Sequence, residues 1–162
     1  MALTADVVII GGGSAGYAAA RTARDAGADV AIVDHGPLGG LCILRGCMPT
    51  KTILRSAEIL ALMKRAREFG LAPVTAQADL SAIVDRKNRL VQEFADYRIA
   101  ALRDPRFTLY ESRAEFLSPH VIRAGEVRIR GGAFVIATGS SAADVWIPGL
   151  DEAGYLTSDE ML

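Results

Sequence analysis

Ala5-Asp6-Val7-Val8-Ile9-Ile10-Gly11-Gly12-Gly13-Ser14-Ala15-Gly16 is the stretch on which the fold turns. Its first six residues form a nearly continuous apolar run, the pattern of a strand buried on both faces. Gly11 to Gly16 read as a turn, with Gly11, Gly13 and Gly16 in the spacing G-x-G-x-x-G. Ala15 to Gly27 is alanine-rich, places Arg21, Arg24 and Asp25 as a solvent face, and reads as a helix that Gly27 ends. Asp29 to Asp34 is a second apolar strand. Strand, glycine turn, helix and strand within about thirty residues make the βαβ unit of a parallel sheet.

In such a unit the first glycine makes the tight turn and the second admits a pyrophosphate close to the backbone. The third lets the helix pack on the strand. The helix N-terminus offers unpaired N–H groups and about half a positive charge to the phosphates. Asp34 ends the second strand eighteen residues past Gly16. A carboxylate there accepts hydrogen bonds from a ribose and repels a 2′-phosphate, which favours FAD or NAD over NADP. A glycine triplet alone is equally a plain turn; the strand, helix and acid around this one make it a dinucleotide site.

The bulk properties agree with one packed domain: 162 residues, 51% of them hydrophobic, with a net charge of −1. There is no basic excess to draw the chain onto nucleic acid or an anionic membrane. Val7 to Ala20 is uncharged, but no Lys or Arg precedes it, and it is too short to span a bilayer. These features imply a cytoplasmic protein. Its two cysteines, Cys42 and Cys47, would then face a reducing compartment, where a thiol pair is catalytic or metal-binding more often than a structural staple.

His35 to Gly46 reads as a loop punctuated by Pro37, Gly39, Gly40 and Gly46. From Pro49 to Phe69 apolar residues recur at helical spacing, and Leu80 to Leu102 gives a second long helix. Beyond Asp104-Pro105 come five short β runs: Phe107–Glu111, Ala114–Leu117, His120–Arg123, Val127–Arg130 and Ala133–Ala137. Gly131-Gly132 separates the last two, so the expectation is a small antiparallel meander returning to the main sheet. Ser140 to Leu162 shows no strong periodicity. The fold class is thus α/β, a Rossmann-like domain with a parallel sheet, long helices and a β-meander.

The chemistry lies in Gly39-Gly40-Leu41-Cys42-Ile43-Leu44-Arg45-Gly46-Cys47-Met48-Pro49-Thr50-Lys51. In a regular helix Cα atoms at the spacing of Cys42 and Cys47 stand roughly 8–9 Å apart, whereas a disulfide needs about 4.4–6.8 Å. The pair can close only where the backbone leaves the helix. Gly46 makes that departure cheap, and Pro49 fits a helix's first turn. Both cysteines would then lie at or before a helix start, where the dipole favours thiolate. Lys51, four residues after Cys47, shares its helical face. A pair of buried apolar thiols fits these residues too. Two cysteines are too few for a metal site, and His35 and His120 show no ligand spacing with them.

These residues together resemble the flavoprotein disulfide reductases of the glutathione reductase, dihydrolipoamide dehydrogenase and mercuric reductase type. That family's N-terminal signature joins the glycine fingerprint and acidic residue to G-G-x-C-x-x-x-x-G-C-x-P-x-K, matched here from Gly39 to Lys51 and including Gly40. Ala137-Thr138-Gly139-Ser140 resembles the strand-end turn that lies against the flavin nucleotide. Ile147 to Leu150 and Tyr155 to Ser158 resemble the family's lead-out from that turn.

The resemblance implies FAD as bound cofactor, NAD(P)H as electron source and a small-molecule disulfide or related substrate. It implies Cys47 as the thiol touching the flavin, Cys42 as the interchange thiol and Lys51 near the flavin's reactive edge. Ser14 and Ala15 would offer backbone N–H groups to the pyrophosphate, and Ala114 a main-chain contact to adenine. Leu41 replaces a common threonine, and Ile43, Leu44 and Arg45 replace the common Leu-Asn-Val. Arg45 is read either as a cation beside the thiols or as a solvent-facing loop residue.

The family's nicotinamide-binding domain, with its second glycine fingerprint, and its C-terminal dimerisation domain have no match here. The expectation is therefore that residues 1–162 are the N-terminal part of the FAD-binding domain of a homodimeric enzyme, inactive alone. Two competing readings are a non-catalytic FAD- or ADP-binding fragment and an NAD-dependent Rossmann dehydrogenase with incidental cysteines.

Overall fold

A computed structural model describes residues 3–143 and 145–162. The order is β1 (Leu3–Ile10), α1 (Ser14–Asp25), β2 (Val30–Asp34), α2 (Gly40–Leu44), α3 (Cys47–Lys64), a 3-10 turn (Ala66–Phe69) and α4 (Leu80–Leu102). There follow β3 (Thr108–Glu111), β4 (Ala114–Ser118), β5 (Val121–Ala124), β6 (Val127–Ile136), α5 (Leu150–Ala153) and α6 (Ser158–Met161). One six-stranded sheet has the order β3-β2-β1-β6-β5-β4. β1 runs parallel to β2 and β6, and β2 to β3, while β5 is antiparallel to β4 and β6. The chain moves outward from β1 to β3, then returns with β6 on the far side of β1. Strand order therefore reverses between β1 and β6, where an open α/β sheet leaves a crevice at its carboxyl edge.

The apolar runs fill both faces of the sheet. Ile9, Val30 and Ile32 pack with Ala20 of α1, Leu102 of α4 and Phe107. Val8, Ile10 and Val33 pack with Ile122 and Ala124 of β5 and Ile129 of β6. The α/β class and Rossmann-like domain read from the sequence are the fold observed, with long helices at the expected places. α4 spans the predicted residues; its N-cap Asp79 accepts a hydrogen bond from the Ala82 N–H at 3.0 Å.

Three elements differ from the sequence reading. β3 does not join the meander; it extends the parallel sheet beside β2, with Glu111 opposite Asp34. Its short alternating run carries no mark of which edge it will join, and α4 decides by delivering it beyond β2. Val127–Arg130 and Ala133–Ala137 are one strand, because Gly131 and Gly132 do not turn the chain but admit neighbours. A Cβ on Gly131 would stand 2.7 Å from the Phe134 ring, and one on Gly132 would stand 2.8 Å from the Asp6 carbonyl oxygen. The loop from His35 to Gly46 contains α2, a single turn of helix too short for periodicity to reveal.

Candidate dinucleotide and dithiol site

The glycine turn holds the crevice open. Gly11, at φ +102°, brings its backbone so near the end of β6 that a Cβ would stand 2.3 Å from the Ala137 carbonyl oxygen. At Gly16 a Cβ would stand 1.7 Å from the Gly11 carbonyl oxygen, so only glycine lets α1 start this close to β1. Gly40, at φ +75°, abuts Gly13: a Cβ there would stand 2.5 Å from the Gly13 Cα. Phosphate loop and cysteine segment thus meet backbone to backbone.

Gly11, Gly13, Asp34, Gly40, Ala114, Ala137, Thr138 and Gly139 line one cleft that is partly open to solvent. Ser14 and Ala15 form the exposed first turn of α1 above it, and Gly16 is buried beneath. Asp34 accepts from the Gly12 N–H at 2.5 Å and from the Gly36 N–H at 2.7 Å, so its carboxylate ties the glycine turn to the end of β2. Each oxygen keeps a second lone pair for a ribose hydroxyl.

The cleft also takes in residues that sequence reasoning missed: His35, Gly36 and Pro37 after β2, Leu44 in α2, and Ser112 between β3 and β4. No spacing rule marks these, because they reach the cleft only when α2 and β4 close its sides. Ser112 had one usable signal, its place two residues before Ala114.

The thiols are held where the helix breaks. Cys42 lies within α2 and Cys47 begins α3. Between them Arg45 (φ −139°, ψ 13°) and Gly46 (φ −136°, ψ −105°) leave helical geometry. The Thr50 hydroxyl donates to the Gly46 carbonyl at 2.7 Å, and Pro49 is fully buried in the first turn of α3. Both thiols are free, Cys42 half-buried and Cys47 exposed.

Hydrogen bonding from the Cys47 thiol, foremost, holds the Cys42 pKa below the ordinary thiol value. Burial opposes the shift, while the Ser14 hydroxyl, the Cys47 N–H and the Lys51 charge add to it. Cys47 is pushed up, chiefly because its hydrogen is engaged by Cys42. The Cys47 N–H at the start of α3 lowers both thiols, in the sense expected of a helix start; at Cys47 the hydrogen engaged by Cys42 outweighs it. Lys51 is exposed but acts on both sulfurs. Arg45 adds no cation to the pair; its guanidinium reaches Asp159 of α6 at 2.8 Å.

No helix among the described residues is long and apolar enough to cross a membrane. A structure with this glycine cradle, acid and strand-end turn fits the adenosine diphosphate half of a dinucleotide, with the dithiol beside the glycine turn.

Comparison with known proteins agrees. Residues 5–161 match the family described as pyridine nucleotide-disulphide oxidoreductase. A mercuric reductase from Staphylococcus aureus is 38% identical over 158 residues, covering 97% of this chain and 29% of the relative. A dihydrolipoyl dehydrogenase from Acholeplasma laidlawii is 34% identical, covering 97% of this chain and 48% of the relative. Among solved structures, the Cu(II) complex of the HOCl-induced flavoprotein disulfide reductase RclA from Escherichia coli aligns with a TM-score of 0.75 and 29% identity. It covers 96% of this chain and 33% of that one. The chain spans between about a quarter and a half of the length of these and similar curated relatives.

Proposed function

Since the chain belongs to the pyridine nucleotide-disulphide oxidoreductase family, an FAD-dependent oxidoreductase family, we propose that it is the flavin-binding, dithiol-bearing part of an enzyme passing electrons from NAD(P)H to a small-molecule disulfide or related substrate. The observation that carries this is the Cys42–Cys47 pair, set on either side of the helix break at Arg45 and Gly46, in a segment whose Gly40 abuts Gly13 of the phosphate loop.

In this reading Gly11, Gly13, Ser14 and Ala15 present backbone to the pyrophosphate and Asp34 accepts from the ribose. Gly40, Ala114, Ala137, Thr138 and Gly139 wall the nucleotide. Bound FAD would supply a two-electron relay between nicotinamide and dithiol. The chain's own residues conduct the exchange. The Cys42 thiolate attacks one sulfur of the substrate disulfide, forming a mixed disulfide and expelling the first substrate thiolate. Cys47, once deprotonated, attacks the Cys42 sulfur, expelling the second thiolate and closing the Cys42–Cys47 disulfide. Two electrons have left the dithiol for the substrate. Lys51 lowers the pKa of both thiols throughout.

Residues 1–162 serve in this reading as the N-terminal part of the FAD-binding domain of a cytoplasmic homodimer, whose nicotinamide-binding and dimerisation regions lie outside them. Equilibration in glutathione redox buffers, read by mass after alkylation, tests the dithiol. The chain is expected to form one intramolecular disulfide, and Cys47→Ser to form only mixed disulfides with glutathione. Two independent thiols, neither closing on the other, would overturn the assignment. The purified chain should also show negligible NAD(P)H-dependent turnover; a robust rate without a partner would contradict its placement as one part of the machinery.

A further inference from the structure

β3 ends at Glu111, opposite Asp34 in the parallel register, and Ser112 is the next residue past the sheet's carboxyl edge. It lines the nucleotide cleft with Asp34 and Ala114. Its hydroxyl is buried against the Gly125 turn and has no hydrogen-bond partner among the described residues. Folded proteins rarely leave a buried hydroxyl unpaired, because the group loses water and gains nothing. The other orphaned side-chain nitrogens there belong to Arg98, whose guanidinium lies 4.4 Å from the centre of the Tyr17 ring and has that face as compensation. Ser112 has no such substitute.

Its position says which end of a ligand it would meet. The cysteine segment enters the cleft at the glycine turn, where Gly40 abuts Gly13. Ser112 follows β3, two strands from the β1 glycine turn in the sheet order, with β2 and its terminal Asp34 between.

We propose that the Ser112 hydroxyl is a binding residue for the adenosine end of the dinucleotide, swinging about χ1 off the Gly125 turn to pair with a ribose hydroxyl or ring nitrogen. This rests on reading the cleft as the FAD site; what is new is the side chain that completes its far end. The unpaired hydroxyl disfavours the empty cleft and is satisfied in the filled one, so one group favours binding twice.

The two effects separate in a single variant. Calorimetric titration of the chain with ADP, FAD and inorganic pyrophosphate is compared for wild type, Ser112→Ala and Ser112→Thr, together with melting of the ligand-free proteins. Ser112→Ala is expected to weaken ADP and FAD about three- to tenfold and to leave pyrophosphate unchanged. Its ligand-free melting temperature should stay level or rise by about 2–4 °C. Ser112→Thr, keeping the hydroxyl, should hold ADP affinity within about twofold of wild type, less than the lost hydrogen bond would cost. Unchanged ADP affinity in Ser112→Ala would overturn the proposal. So would an equal loss for pyrophosphate, or a loss accompanied by a lower ligand-free melting temperature, since both mark general damage. A wild-type chain binding neither FAD nor ADP would instead remove the cleft assignment, and this role with it.

Discussion

Gly16 and Cys42 are single residues whose behaviour follows from what stands within a few ångströms. At Gly16 a methyl group would occupy the space of the Gly11 carbonyl oxygen, 1.7 Å away, and neither atom belongs to a side chain that can move aside. Gly16→Ala is therefore expected to cost about 3 kcal/mol or more in urea unfolding, at the upper end for overpacking. A loss below about 1 kcal/mol would mean that α1 slides along β1 more freely than this contact allows. The need for glycine here was legible in the sequence, because the spacing encodes a steric requirement. Cys42 is different. The donors that lower its pKa come from Ser14 and Cys47, one of them distant in sequence. Cys47→Ala removes the largest cause, so the Cys42 pKa should move up toward the ordinary thiol value and the thiolate appear at higher pH. Alkylation by iodoacetamide should then slow severalfold near pH 8. An unshifted pH profile would show that Cys47 is not the dominant donor.

At the scale of elements, local pattern predicts what local forces determine. α4 is read correctly along its length because its apolar residues keep helical spacing; the structure adds the Asp79 cap. Asp79→Ala should lower stability by about 1 kcal/mol, read from the urea midpoint at unchanged slope. β6 shows the opposite case. A glycine pair in a β run normally signals a turn, and strand propensity alone would favour a larger residue. Here Phe134, Val8 and the Asp6 carbonyl occupy the space, so Gly131→Ala is expected to destabilise by about 1–3 kcal/mol. If that variant were stabilised instead, the pair would be ordinary strand residues. α2 escaped notice because five residues give periodicity nothing to repeat over, yet it carries Cys42 and one wall of the cleft.

Across the whole molecule, the site depends on layers far apart in the chain. Leu102, at the end of α4, is fully buried, and its methyl groups would stand 3.2 and 3.3 Å from a Cβ on Gly12. The second layer therefore supports the phosphate turn from below. Leu102→Ala should cost about 2–5 kcal/mol in unfolding and also weaken ADP binding. Full stability loss with unchanged ADP affinity would show that the turn keeps its shape through Asp34 alone. The sequence by itself determined the βαβ unit, the glycine turn and Asp34, because each expresses a steric or periodic demand within about thirty residues, whereas the cysteine segment was legible only through its resemblance to a family signature. Only the tertiary structure decided that β3 joins the parallel edge, that β6 is continuous, that Arg45 turns to Asp159, and that Ser112 borders the cleft. Those outcomes depend on which distant backbone arrives alongside, and packing between layers, unlike the period of a helix or strand, leaves no repeat in the chain to read.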